Sequence, residues 1–82
     1  MGRASTRGNY TDGRVLNHPS FTHVTGRIGK ARDLMIFTDW INGMTGIELA
    51  KKYDRTDTNI RRILAKVKHE YVLVRREIYD DQ

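Results

Sequence analysis

The sequence predicts an all-α domain, and three observations carry that prediction. Five of the seven glycines and the only proline lie in residues 1–30, so the rest of the chain is nearly free of helix breakers. From residue 31 onward the apolar residues recur three and four apart, the period of a helix face rather than of a strand. Residues that cap helices stand where those periodic stretches begin, at Thr45 and Thr56.

Residues 1–30 are rich in Gly, Ser, Thr and Asn and poor in apolar side chains, with Val15, Leu16, Phe21, Val24 and Ile28 scattered among them. This composition predicts a flexible basic arm with one local turn at Asn17–His18–Pro19–Ser20. A first helix is expected over 31–42. Leu34, Phe37 and Ile41 share one face, and Ile36 and Trp40 widen it. Asn42–Gly43 is the stop, because Gly accepts the left-handed backbone that ends a helix.

The second helix opens on a capping box. The Thr45 hydroxyl accepts from the Glu48 amide, and the Glu48 carboxylate reaches back to the Thr45 amide. Ile47, Leu49, Ala50 and Tyr53 are its expected buried side, and it ends near Tyr53–Asp54. The third helix starts at Thr56 or Asp57, either of which can cap it. Ile60, Leu64, Val67, Tyr71, Val74 and Ile78 then follow at alternating spacings of four and three, a heptad-like seam. One long helix to about Tyr79 is the preferred reading. The alternative ends it near Lys68 and makes Tyr71–Val72–Leu73–Val74 a strand, since these residues favour β-structure.

Eighty-two residues make a single domain with a thin core. With no cysteine, neither a disulfide nor a cysteine-bound zinc can staple it. No apolar run approaches the ~20 residues needed to span a bilayer, and the N-terminus lacks an apolar signal core, so a cytoplasmic protein is expected. The net charge of +5 is unevenly placed. Residues 1–32 hold six Arg/Lys against Asp12, and residues 51–68 hold seven against Asp54 and Asp57, so each block is +5. The stretches 33–50 and 69–82 are slightly acidic. Two basic blocks point to a polyanionic partner.

The stretch from Glu48–Leu49–Ala50 to Leu64 resembles the helix-turn-helix family of DNA-binding proteins, in particular that of phage activators and sigma-like factors. Ala50 matches the small residue of the family's first helix, and Thr56 matches its cap. Leu49, Tyr53, Ile60 and Ile63 match its buried positions. Two residues depart from the pattern: Asp54 stands where Gly is commonest, and Arg55 stands where a small apolar residue usually plugs the turn. Asp enters the left-handed region more easily than most residues, and an Arg stem can cover apolar surface.

The resemblance implies a helix-turn-helix domain over 31–68 that binds double-stranded DNA as a small transcription regulator. It implies base-reading candidates Thr56, Thr58, Asn59, Arg61, Arg62 and Ala65, with Asp57 as a cap. Phosphate-binding candidates are Arg27, Lys30, Arg32, Lys51, Lys52, Arg55, Lys66 and Lys68. Arg3, Arg7 and Arg14 suit a minor-groove arm. Residues 69–82 form an extension in which Tyr71, Val74 and Ile78 are the expected contacts of a homodimer, which would meet half-sites ~34 Å apart.

No catalytic constellation is legible. His18, His23 and His69 have no ligand cluster beside them, so neither metal nor cofactor is expected. Gly26–Arg27–Ile28–Gly29–Lys30 lacks the spacing of a phosphate loop, and the Met1–Gly2 start fits a myristoylation pattern too short to carry weight. The rival readings are a protein-interaction module acting on RNA polymerase, an RNA-binding protein, and a DNA-packaging or recombination accessory.

Overall fold

The computed structural model describes residues 8–23 and 31–80. Among the described residues a 3-10 turn (Gly8–Tyr10) precedes five α-helices and there is no strand. The helices are α1 (Gly13–Leu16), α2 (Pro19–Thr22), α3 (Ala31–Ile41), α4 (Gly46–Lys52) and α5 (Asp57–Tyr79). Every other helix packs on α5.

The helix α3 buries Ile36, Phe37 and Ile41, while Leu34 is only half-buried. It ends as Asn42–Gly43 leads one to expect. Gly43 has φ 114°, the Gly43 amide donates to the Trp40 carbonyl (3.0 Å), and the Met44 amide donates to the Asp39 carbonyl (3.1 Å). Both bonds satisfy carbonyls the last turn would otherwise leave open.

The capping box of α4 is present. The Thr45 amide donates to Glu48 Oε1 (2.8 Å), and the Glu48 amide donates to Thr45 Oγ1 (3.2 Å). Leu49 is fully buried, but Ile47 is 64% exposed, contrary to its expected place on the buried side. Two helical residues turn ~200°, so Leu49 and Ile47 cannot share a face.

The long-helix reading of α5 holds and the strand after Lys68 does not. Tyr71–Val72–Leu73–Val74 favour strands in isolation, but their 3–4 spacing continues the buried row Ile60, Leu64 and Val67. Tyr71 and Val74 enter the core at that spacing, and packing outweighs the local preference. They are therefore not the free dimer seam expected of them. Tyr71 is 1% and Val74 0% exposed, and Ile78 packs against the same core.

What covers that seam is the segment expected to be a flexible arm. Over 8–23 the chain is folded, not free. Asp12 caps α1, and His18 Nδ1 accepts from the Ser20 amide to cap α2, whose first residue is Pro19. Helices of four residues cannot persist alone. They persist here because Val15 and Phe21 are fully buried, each contributing ~1.5–3 kcal/mol by leaving water. The Asp12 amide donates to the Tyr71 hydroxyl (3.1 Å), the Tyr79 hydroxyl donates to Asp12 Oδ2 (2.6 Å), and Ser20 Oγ donates to Glu77 Oε2 (3.2 Å). Tyr10, Phe21, Phe37, Trp40 and Tyr71 form one aromatic cluster, with centroids as close as 5.3 Å (Tyr10–Tyr71). It joins the N-terminal segment, α3 and α5.

Candidate nucleic-acid interface

The joint between α4 and α5 is four residues, Tyr53 to Thr56. Asp54 takes φ 56° and is the one non-glycine with positive φ among the described residues. This is the backbone a Gly would supply, and Asp adopts it at lower cost than most residues. The Arg55 amide donates to the Ala50 carbonyl (2.8 Å) and the Asp54 amide to the Lys51 carbonyl (3.4 Å), which closes α4 with a second left-handed cap. Thr56 then caps α5, its Oγ1 accepting from the Asn59 amide at 3.0 Å. Thr56, rather than Asp57, is thus the cap. The two helices approach closely, since a Cβ built on Gly46 would stand 3.0 Å from Asp57 Oδ1.

Thr58, Arg61, Arg62 and Ala65 are all exposed along the outer face of α5, and Lys51 is exposed at the end of α4. Arg61 Nε lies 3.2 Å from Asp57 Oδ2, but its side chain remains 79% exposed. Such an i,i+4 surface pair is worth ~0.3–0.5 kcal/mol, so a phosphate or a base edge can displace it. Asn59 does not join the open face: it is half-buried, and its Oδ1 is buried without a hydrogen-bond partner among the described residues. It is withdrawn from base reading by the position of its side chain. Arg55 is half-buried too, with its Nε buried and without a hydrogen-bond partner among the described residues.

Several cations expected on phosphates already have partners inside the fold. Lys66 Nζ lies 2.6 Å from Oδ2 of the buried Asp33. Lys52 Nζ lies 2.7 Å from Asp39 Oδ2, which also accepts from the Tyr53 hydroxyl at 2.6 Å. The Lys52 bond, then the Tyr53 bond, holds the Asp39 carboxyl below its ordinary range. Tyr53 is pushed up, by burial first and by Asp39 second. These contacts fasten α3 to α4. Lys68 Nζ sits 4.3 Å from the Trp40 ring centroid. Arg32 is exposed at the start of α3.

Arg14 is not on a free arm. It belongs to α1, and its guanidinium lies 5.5 Å from the Tyr79 ring centroid. Arg3, Arg7, Arg27 and Lys30 lie outside the described residues. Two cations that the sequence reading passed over, Arg75 and Arg76, are exposed on the last turns of α5. Their signal was present in the spacing: the basic pairs Arg61–Arg62, Lys68–His69 and Arg75–Arg76 recur every seven residues.

Among the described residues no group of His, Asp and Glu could hold a metal ion, and no helix is long and apolar enough to cross a membrane. Comparison with family models, with curated proteins and with solved structures found no match to this chain.

Proposed function

We propose that this protein binds double-stranded DNA sequence-specifically, as a small helix-turn-helix transcription regulator with the first turns of α5 in the major groove. The observation that supports the reading best is the left-handed Asp54 joint between two capped helices, beside an outward row of Thr58, Arg61, Arg62 and Ala65. An α-helix fits the major groove. Arg62 or Arg61 can donate two hydrogen bonds to guanine O6 and N7, while Thr58 and Ala65 offer methyl-sized contacts to thymine. Lys51 and Arg32 suit the flanking phosphates. With Tyr71 and Val74 buried in their own core, the reading is for a single copy.

The test is fluorescence-anisotropy binding to duplex DNA over a salt series, followed by selection of a preferred site. Arg62→Ala is expected to cost ~1–3 kcal/mol on the selected site and much less on random duplex. Lys51→Ala is expected to weaken both alike and to flatten the salt slope by about one. Equal losses on both DNAs from Arg62→Ala would remove its base-reading role.

A second reading has one observation in its favour. Ile47, 64% exposed, lines a cleft of about 390 Å³ with Trp40 and Leu64, an apolar patch beside Asp57, Arg61 and Lys68 that a protein such as RNA polymerase can grip. Binding through the apolar part of that cleft would depend on salt only weakly and would be lost on Ile47→Asp, whereas phosphate binding falls steeply with salt.

A further inference from the structure

The helix α5 has 23 residues, so it is a rod ~34 Å long. Only its first turns are needed for a major groove ~12 Å wide. The remainder runs into the slightly acidic stretch 69–82, yet carries exposed arginines of its own. The basic pairs Arg61–Arg62, Lys68–His69 and Arg75–Arg76 stand seven residues apart on it. A seven-residue step drifts by only ~20° on a helix, so the three pairs form one slowly winding stripe. Arg75 and Arg76 sit ~21 Å along the axis from Arg61 and Arg62.

The last pair does not stand alone. The helix α1 brings Arg14 to the same place, and Arg14 and Arg75 both lie against the Tyr79 ring, at 5.5 and 5.3 Å from its centroid. Beside them is an open cleft of about 580 Å³, lined among others by Asn9, Tyr10, Arg75 and Arg76. Asp12 and Asp80 also line it. The Asp12 carboxylate is engaged: it accepts from the Tyr79 hydroxyl and from the Arg14 amide (2.9 Å). Asp80 is exposed. Arg75 and Arg76 line this concave surface, and Arg14, exposed on α1, stands beside it against the Tyr79 ring.

We infer that Arg14, Arg75 and Arg76 form a second, sequence-independent site for DNA backbone phosphate, reached only because α5 projects beyond the groove. The inference rests on the proposed placement of Arg61 and Arg62 in the groove. A rod seated there carries the second cluster past the groove's width and over the bordering strand. Two parallel N–H donors on each guanidinium match the oxygens of a phosphate. The first site reads sequence; the second extends the footprint and adds affinity for any duplex.

The test compares Arg75→Gln/Arg76→Gln with Arg62→Ala on 30-bp duplexes, a selected and a random one, over a salt series. Gln keeps part of each stem while removing its charge. Losing two phosphate contacts should lower the salt slope by about two, which corresponds to a roughly fifty-fold loss at 0.1 M salt that closes towards 1 M. The loss should be the same on both duplexes, with Tm unchanged. Asp80→Asn should bind both duplexes a few-fold more tightly. On the native protein, ethylation interference should reveal two groups of contacted phosphates, one of which shrinks in the double variant to what Arg14 alone retains.

If the double variant binds as the native protein does, or ethylation shows one group of phosphates only, the second site is overturned. A fall in Tm with DNA binding intact would reduce Arg75 and Arg76 to charges that complement the helix dipole, which overturns it equally. If instead Arg62→Ala is silent while the double variant loses binding, the groove reading falls and the arginine cluster stands as a phosphate site in its own right.

Discussion

Asp54 carries the turn between α4 and α5 by holding a backbone that most side chains resist. Asp54→Val is expected to cost about 1–2 kcal/mol in urea unfolding, whereas Asp54→Gly should match or exceed the parent. A valine variant as stable as the parent would mean that the left-handed joint is not kept in solution. Asp39 offers a test in pH. Its hydrogen bonds to Lys52 and Tyr53 lower its folded pKa below the unfolded value of about 3.9. A lowered carboxyl pKa contributes stability that is fully present above the unfolded pKa and is lost as pH falls through the folded one. Asp39→Asn should therefore destabilise the protein by about 1–2 kcal/mol at pH 7, discounted for the half-exposed Lys52, and by less at about pH 3, below the unfolded value. Denaturant melts at the two pH values check it, and a constant difference between them would assign the effect to packing instead.

At the scale of elements, what could be read from the sequence and what could not divide by a physical rule. The helices α3, α4 and α5 are long enough for the period of their apolar residues to show, and their ends carry their own chemistry: Gly43, the Thr45–Glu48 pair, Thr56. The open face of the candidate site was legible for the same reason, since Thr58, Arg61, Arg62 and Ala65 are what the buried row leaves over. Ile47 is apolar yet exposed, because it stands ~200° around α4 from the buried Leu49. The helices α1 and α2 have four residues each, too few for any period. Val15 and Phe21 gain their meaning from Tyr71 and Val74, which lie fifty or more positions away. Arg14 and the engagement of Lys52 and Lys66 were hidden likewise, being consequences of contacts between elements. Phe21→Ala measures how far α2 belongs to the core: a loss of ~3–5 kcal/mol is expected, and no loss would restore the flexible arm.

For the molecule as a whole, one helix serves two neighbourhoods. The N-terminal half of α5 belongs with α4, and its C-terminal half belongs with α1 and α2, while α3 and the aromatic cluster join the two. A chain shortened to residues 24–82 would expose Tyr71 and Val74 to water, on a seam with the spacing of a coiled coil. Such a chain should self-associate in sedimentation velocity at concentrations where the full chain does not. A shortened chain that sediments as a folded monomer would show that α1 and α2 are not needed to cover the seam.

The contacts of Asp12 reach Tyr71 and Tyr79, 59 and 67 residues further on. That separation has a consequence in time. During synthesis Asp12 is made 59 residues before Tyr71, which lies on the surface that its segment folds against. The α4–α5 pairing closes a short loop and can form early; the N-terminal segment must close a long one, at greater cost in chain entropy. The expected order is therefore α4–α5 first, with the α1–α2 segment docking onto the C-terminal half of α5 later. A chain broken off before Tyr71 retains the basic start of α5 but lacks the surface that Asp12 and its neighbours clasp.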